Sequence, residues 1–234
     1  MALGDDLTAY VKQTFKEAWS TRTGQVVPDP ENLKHSNDAV EFERATVLYA
    51  DLSGSTSMVD SETWQFAAEI YKNFLYCAGR LITDAGGEIT AYDGDRVMGV
   101  FVDDSQSTRA AKCALKINYA TQCIIMPALT AQYPGNSFSL RHVVGIDTSP
   151  IRAARTGVRG DNDLVWVGRA ANHAAKLTEL SANFPTWITG TLFGRLRDEA
   201  KYGGKDNTLM WKKHTWTPMG GIEVYGSTWW WKID

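Results

Sequence analysis

The chain has 234 residues, of which 44% are hydrophobic and 22% are charged, and its formal net charge is −3. This length and composition suit a soluble globular protein of one domain with additions, and the small net charge gives no broad attraction to nucleic acid or to an anionic membrane. No run reaches the roughly 18 apolar residues of a membrane-spanning helix, and the acidic N-terminus lacks the apolar core of a signal peptide, so a cytoplasmic protein without a membrane partner is expected.

The N-terminal part of the chain is predicted to form an amphipathic helix and a linker. Over Asp6–Trp19, apolar side chains recur every three or four residues, which is the period of a helix with one apolar stripe. The stripe fits packing on the helix's own domain or contact with a second subunit. Thr21–Asp38 contains two prolines and a glycine and is predicted to be a linker. We therefore expect the helix and linker over residues 1–43 and one larger domain over residues 44–234.

Strands and helices alternate in the remainder of the chain. The two strands that flank an Asp-Gly-Asp turn predict a hairpin. Together the elements predict an α+β fold, an α/β sandwich in which helices cover a mixed sheet, with additional strands at the C-terminus. The predicted strands are 46–51, 88–92, 96–102, 138–147, 164–167, 186–189 and 222–231; the predicted helices are 61–84 with Ser61 as N-cap, 105–133 and 170–180.

Asp51 and the loop after it are the first candidate functional group. Asp51 ends an apolar strand, and Gly54, Ser55 and Thr56 follow. A carboxylate at a strand end suits a hard cation such as Mg²⁺. A loop with free backbone amides at the start of a helix suits a phosphate. The same turn is also a good helix N-cap, so the pattern alone leaves both interpretations open.

Asp95, at the tip of the predicted hairpin, is the second candidate. Turns favour Asp and Gly for conformational reasons, so Asp95 alone indicates little. If the strand ending at Asp51 lies beside the hairpin, however, the two carboxylates converge. Two close carboxylates repel unless a cation lies between them. A pair of metal ions there could hold a triphosphate and lower the pKa of an attacking hydroxyl.

Asn172 and Lys176 are the third candidate pair. They lie four residues apart on a predicted helix and therefore share a face. An amide and a cation on one face suit orientation of a ribose and neutralisation of a charged phosphorus centre. An ordinary solvated helix surface is the alternative interpretation.

Four stretches of the sequence, in this order, resemble class III adenylate and guanylate cyclases. Residues 46–56 resemble the first metal motif, 92–101 the second, 141–147 the central strand and 166–177 the transition-state helix, and the resemblance covers about residues 44–190. It implies a ferredoxin-like βαββαβ core. It also implies a lyase activity that converts a nucleoside triphosphate into a 3′,5′-cyclic nucleotide and pyrophosphate.

The resemblance also implies a division of labour between two copies of the chain. The family forms a head-to-tail homodimer with two shared sites. Asp51, Leu52 and Asp95 of one chain would hold two Mg²⁺ or Mn²⁺ ions per site. Asn172 and Lys176 would come from the other chain, although the family often carries Arg where this sequence has Lys176.

Four residues depart from the purine cyclase pattern. Ala91 stands where purine cyclases usually carry Lys, and Val165 stands at the second base-reading position; neither can form a hydrogen bond with a base. Tyr49 would shrink the base pocket, and Arg96 adds a fixed donor. This combination resembles the pyrimidine cyclases of the Pycsar antiphage defence system, which make cyclic UMP or cyclic CMP. UTP is favoured because Arg only donates and uracil carries an acceptor at position 4.

Other functions remain open from the sequence. They are a cytidylate cyclase, a purine cyclase with unusual base contacts, and an inactive cyclase homologue that binds nucleotide. The resemblance to the antiphage pyrimidine cyclases also implies a separate effector protein that responds to the cyclic nucleotide. Arg152, Arg155 and Arg159 fit either contact with a triphosphate or a solvated loop.

Overall fold

The architecture is a long mixed sheet with helices on both faces. The computed structural model describes residues 2–158 and 160–233. The helices are α1 Leu3–Lys16, α2 Ser55–Ser61, α3 Trp64–Asp84, α4 Gln106–Tyr119, α5 Met126–Gln132, α6 Arg169–Leu177, α7 Gly190–Phe193 and α8 Asp198–Lys201. The strands are β1 Ser20–Thr23, β2 Asp38–Ser53, β3 Glu88–Asp93, β4 Arg96–Phe101, β5 Arg141–Val158, β6 Asp161–Val167, β7 Thr186–Thr189, β8 Tyr202–Gly203, β9 Thr208–Leu209, β10 Lys212–Trp216 and β11 Ile222–Ser227.

The main sheet has the order β10-β11-β7-β5-β2-β4-β3, and β1 and β6 join it beside β2 and β5. Pairing is antiparallel except between β5 and β7 and between β1 and β2, which are parallel. The predicted mixed sheet and the α+β class are therefore confirmed. The small pair β8 and β9 stands apart from this sheet.

The central strand β2 separates two helical layers because its side chains alternate between the faces. Leu48 and Ala50 belong to the cluster packed by α3 and α4, and both are fully buried. Val47 and Tyr49 point to the other face, where part of α6 packs. Helix α3 covers the first face with buried apolar side chains such as Ile70 and Phe74. Thr63 caps its start, accepting a hydrogen bond from Phe66 N at 3.3 Å. The sheet thus forms the middle layer of a sandwich.

The N-terminal segment differs from its prediction. Helix α1 ends at Lys16 and buries none of its side chains in the described part of the chain, so of the two interpretations of its apolar stripe, packing on its own domain is not observed. Strand β1 lies inside the predicted linker and pairs with the start of β2. Because β2 already begins at Asp38, the sheet extends across the expected boundary between residues 43 and 44.

Three further boundaries differ for local reasons. The predicted helix 61–84 is α3, which starts at Trp64 with Thr63, not Ser61, as its cap, and a separate short helix, α2, precedes it where a loop was predicted. The predicted helix 105–133 contains a π-helical segment, Ala120–Ile125, between α4 and α5. The strand predicted over 222–231 ends at Ser227. The following tryptophans pack beside α4, where Trp231 N donates to Leu115 O at 3.0 Å.

Two of the three arginines predicted to lie in a loop or near a triphosphate are on a strand. Arg152 and Arg155 belong to β5, where Arg152 pairs with Glu41 and Arg155 donates to Asn162. Arg159 lies outside the described residues. Within the described ranges, every helix is too short or too polar to cross a lipid bilayer.

Candidate active site

Asp51 lies near the C-terminal end of β2, between the two neighbouring strands of the sheet. Its cross-strand partners are Arg96 on β4 and Val143 on β5. Burial, and then the charge of Asp95, raises the pKa of Asp51 from 3.8 to about 6. The charge of Arg96 and the hydroxyl of Thr178, which lies 3.3 Å from Asp51 Oδ2, act in the opposite direction. The half-buried carboxylate is therefore poorly compensated by the protein.

Asp95 occupies the hairpin turn beside Asp51, as the sequence predicted. Gly94 allows this tight turn because its φ of 60° lies in the left-handed region. Asp95 Oδ2 is buried and lacks a hydrogen-bond partner among the described residues. An unpaired carboxylate oxygen next to a second, repelling carboxylate is an arrangement that a divalent cation would stabilise.

The donor set of this carboxylate pair suits a cation that keeps several outer ligands. Across the described ranges, His, Cys, Asp and Glu side chains form no group of three or more that could hold a metal ion. Mg²⁺ typically takes one or two carboxylates and completes its shell with water and substrate phosphates. Asp51 and Asp95 fit that pattern. The side chain of Leu52 is buried in the core, which leaves its backbone as the part that could contribute.

The loop after Asp51 is open to a ligand. Gly54 has φ 81°, and a Cβ atom placed there would meet nothing within 4 Å. Ser55 and Thr56 follow in the first turn of α2. Backbone amides at such a turn have no partner within the helix and can bind phosphate oxygens.

Tyr49 and Ala91 lie on one cross-strand row next to the carboxylates. Met98 of β4 pairs with Tyr49 on one side and with Ala91 on the other. The guanidinium of Arg96 lies over the Tyr49 ring, 5.3 Å from its centroid, and donates to Asp93 Oδ2 at 2.8 Å. Arg96 Nε is buried without a hydrogen-bond partner in the described chain. This part of the sheet therefore offers the aromatic ring of Tyr49 and an unpaired N–H of Arg96. Ala91 contributes no polar side chain.

Val165 lies on β6, opposite Ala154 of β5, and its side chain is 42% exposed. It is not in the row of Tyr49. Its neighbour Leu164 packs in the same apolar cluster as Ala91, whereas the Val165 side chain alternates to the other face of β6. The structure of one chain therefore does not bring positions 91 and 165 together.

Asn172 and Lys176 share the exposed face of α6, as their spacing predicted. Lys176 Nζ lies 3.9 Å from Met219 Sδ. Neither side chain is hydrogen-bonded to Asp51 or Asp95 of the same chain. The structure therefore brings the carboxylates, Tyr49 and Arg96 together, and leaves the side chains of the amide–lysine pair exposed and without a hydrogen bond to the carboxylates.

Two residues that lie next to the candidate site were not predicted from the sequence. Thr178 lies next to Asp51 only because α6 packs across β2 and β5, and no local signal reports that packing. Asp93 holds the Arg96 guanidinium at 2.8 Å. Its position directly before the Gly-Asp turn could have indicated this pairing, because the ends of a tight hairpin face each other.

The fold is the one found in nucleotidyl cyclases. The crystal structure of a guanylyl cyclase superimposes with a TM-score of 0.67, at 17% sequence identity, over 81% of this chain and 93% of that one. No protein-family model matches the sequence. The fold and the pair of carboxylates are those of a class III nucleotidyl cyclase, which is the class that the four sequence motifs predicted.

Relatives of the whole chain define the family more narrowly. A protein of Burkholderia cepacia named uridylate cyclase is 54% identical over 234 residues, which is 100% of both chains. A uridylate cyclase of Xanthomonas perforans is 49% identical over 235 residues, again 100% of both. The chain belongs to the uridylate cyclase family.

Proposed function

We propose that the chain converts UTP into 3′,5′-cyclic UMP and pyrophosphate at a site shared by two copies of the protein. The observation that carries the proposal is Asp51 beside Asp95, a repelling carboxylate pair with one unpaired buried oxygen. The names of two full-length relatives support UTP as the substrate.

Asp51 and Asp95, with the backbone of Leu52, would hold two Mg²⁺ or Mn²⁺ ions. Bound there, the ions would supply charge neutralisation for the triphosphate and a lower pKa for the ribose 3′-hydroxyl. Gly54, Ser55 and Thr56 would bind phosphate oxygens through backbone amides and hydroxyls. The protein's part is then to place the reacting groups, because phosphoryl transfer asks for positioning and charge stabilisation.

Asn172 and Lys176 would enter this site from the second copy. Both side chains are exposed and free of their own chain's carboxylates, as a shared site requires. Asn172 would orient the ribose, and Lys176 would neutralise charge at the α-phosphorus. The ribose 3′-hydroxyl would release its proton to solvent, and its oxygen would form a bond to the α-phosphorus while the bond to pyrophosphate breaks. The negative charge on the leaving pyrophosphate would be neutralised by the divalent ions that Asp51 and Asp95 would hold.

Tyr49 and Arg96 would select the pyrimidine. The Tyr49 ring narrows the space beside the carboxylates, and Arg96 Nε remains free to donate. Uracil presents an acceptor at position 4, whereas cytosine presents a donor there, so a guanidinium fits UTP better than CTP. Ala91 and Val165 cannot form hydrogen bonds with a purine. The family resemblance further suggests an antiphage role, in which a separate effector responds to cyclic UMP.

A four-nucleotide assay tests this function directly. The protein is incubated with ATP, GTP, CTP and UTP together with Mn²⁺, and the products are identified by mass spectrometry. Cyclic UMP is the expected main product, and D51N is expected to make none. Cyclic CMP as the main product would contradict the base assignment, and cyclic AMP alone would contradict the pyrimidine selection. Nucleotide binding by calorimetry without any turnover would indicate an inactive homologue.

A further inference from the structure

Asp147 is a fully buried carboxylate on the face of the sheet that α6 covers. It lies on β5 opposite Val47 of β2, and it is 0% exposed. Thr189 of β7 donates a hydrogen bond to Asp147 Oδ1. A carboxylate at this depth is stable only with cationic or hydrogen-bonding partners, because burial removes its hydration.

Arg169, the first residue of α6, supplies the cationic partner, and His173 in the next turn lies beside the same carboxylate. Arg169 Nε lies 3.2 Å from Asp147 Oδ2, and Arg169 Nη2 lies 3.4 Å from Oδ1. His173 Nδ1 lies 3.3 Å from Oδ2, which is close enough for an electrostatic contact but lacks the geometry of a hydrogen bond. Because Arg169 and His173 are four residues apart, they project from the same side of the helix. Asp147 therefore bridges one complete turn of α6.

The adjacent residues of β5 hold the same helix start. Arg169 Nη2 donates to Thr148 O at 2.8 Å. The backbone N–H of Ala170, which lacks a partner within the helix, donates to Ser149 Oγ at 3.0 Å. Three consecutive strand residues thus fix the first turn of α6, and Asp147 is the only charged one of the three.

We propose that Asp147 is a positioning residue: through Arg169 and His173 it sets the direction of the Asn172 side chain. The inference rests on the proposed function, in which Asn172 orients the ribose. Asn172 lies between the two anchored residues and points to solvent, so a rotation of this turn moves its amide. A misplacement of about 1 Å in a catalytic arrangement can cost about 100-fold in rate.

The experiment compares D147N and R169Q with the wild-type protein. Asparagine keeps the size of Asp147 and can still accept from Thr189, but it removes the charge that Arg169 and His173 face. We expect kcat to fall about 10- to 100-fold with KM for UTP changed less than about twofold. Hydrogen exchange of the amides in the first turn of α6 should accelerate. Because R169Q leaves the buried Asp147 carboxylate without its cation, D147N, which removes the buried charge itself, is expected to fold even if R169Q does not.

The double variant D147N/R169Q tests whether the residues act as a unit. Residues that act through each other have non-additive effects, so the double variant should lose no more kcat than D147N alone. Additive losses would contradict the inference. An unchanged kcat in both single variants would also overturn it.

Two controls separate this inference from stability and from the proposed function. T46V removes a buried hydroxyl that pairs with Ser107 on the opposite face of the sheet, so it should lower Tm without lowering kcat. If T46V reproduces the loss of kcat, the positioning role is wrong. N172A should abolish turnover: if it does not, the role of Asn172 in the proposed function fails. If N172A is inactive while D147N and R169Q keep full kcat, only the positioning inference fails.

Discussion

Asp51 is half-buried and faces another carboxylate, so its negative charge is unfavourable in the cation-free protein. Its pKa of about 6 lies above the ordinary value of 3.8. The folded state therefore keeps this proton at pH values where the unfolded chain has lost it. The stability that comes from the protonated carboxyl is present below about pH 4 and is lost as the pH rises to about 6.

D51N should therefore stabilise the protein while it destroys the candidate metal site. In chelator at pH 7.5, we expect a higher Tm for D51N than for the wild type, and the difference should shrink at pH 4.5, where the wild-type carboxyl is protonated. Mn²⁺ should raise the Tm of the wild type only. Thermal unfolding with and without Mn²⁺ measures both effects.

The matched control for D51N is D60N, which changes an exposed carboxylate on α2. D60N should follow the wild type in every condition. A D51N protein that melts below the wild type at both pH values would show that the Asp51 charge is compensated in the folded state.

Tyr49 is the residue whose size should decide between pyrimidines and purines. Replacing it with Ala removes the ring over which Arg96 lies and widens the space beside the carboxylates. We expect the kcat/KM ratio of ATP to UTP to rise about tenfold, in the range of pocket contacts worth about 1–3 kcal/mol. Steady-state kinetics with both nucleotides measures this ratio.

Y92A provides the comparison for Y49A. Tyr92 pairs with Val97, one position away from the row of Tyr49, and it is 56% exposed. The substrate ratio should not change in Y92A. An equal change in both variants would mean that loss of an aromatic side chain, not the wall of the pocket, alters selectivity.

Helix α6 and strand β5 form the contact on which the placement of Asn172 and Lys176 depends. Gly145 makes this contact possible because a Cβ atom there would meet the Ala174 carbonyl oxygen and lie 2.7 Å from Leu177 Cβ. The helix backbone lies directly on the strand. Any side chain at position 145 must push the helix away from the sheet.

G145A is therefore expected to lower both stability and turnover. Overpacking of a well-filled interior typically costs about 1–3 kcal/mol, and the displaced α6 should reduce kcat. G135A is the matched control, because a Cβ at Gly135 would meet nothing within 4 Å and that glycine has an ordinary φ. Chemical denaturation and initial rates measure the two effects. A fully stable and active G145A would show that the contact can relax at no cost.

Elements with strong local signals could be predicted from the sequence, and those that depend on distant partners could not. The hairpin of β3 and β4 and the short strand β7 lie where predicted, because apolar runs and turn residues mark them. Strand β1 has the polar sequence Ser-Thr-Arg-Thr and exists through its parallel pairing with β2. The extension of β5 to Val158 likewise depends on its pairing with β6, of which the sequence predicted only residues 164–167.

In the candidate site too, features with a local sequence signal could be predicted and features that depend on distant packing could not. Convergence of Asp51 and Asp95 could be predicted because each stands at a strand end or a turn. The nearness of Thr178 and the buried bridge at Asp147 could not, because both require α6 to lie across the sheet. Asp147 gives one clue, a charge within an apolar strand.

In the molecule as a whole, the two halves of the proposed site differ in exposure. Asp51 and Asp95 are half-buried at one end of the sheet, whereas Asn172 and Lys176 are exposed on α6. A head-to-tail pair of identical chains would bring one half of each chain to the other half of its partner, and two-fold symmetry would create the site twice.

Mixing two inactive variants should restore activity if the site is shared. D51N lacks the carboxylate half and N172A lacks the amide half, yet a mixed dimer contains one complete site. Random assortment makes half of the dimers mixed, so about a quarter of the wild-type activity is expected. The rate of cyclic UMP formation after mixing measures it. Failure to recover any activity, with mixed dimers shown by native mass spectrometry, would contradict a shared site.

The outward direction of Asn172 and Lys176 has a consequence for how output depends on the amount of enzyme. When pairs are scarce, the number of complete sites grows with the square of the protein concentration. Dilution should therefore lower the activity per molecule of protein while the separated chains remain folded. A modest rise in expression would give a disproportionate rise in cyclic nucleotide, so abundance alone would set a threshold for signalling.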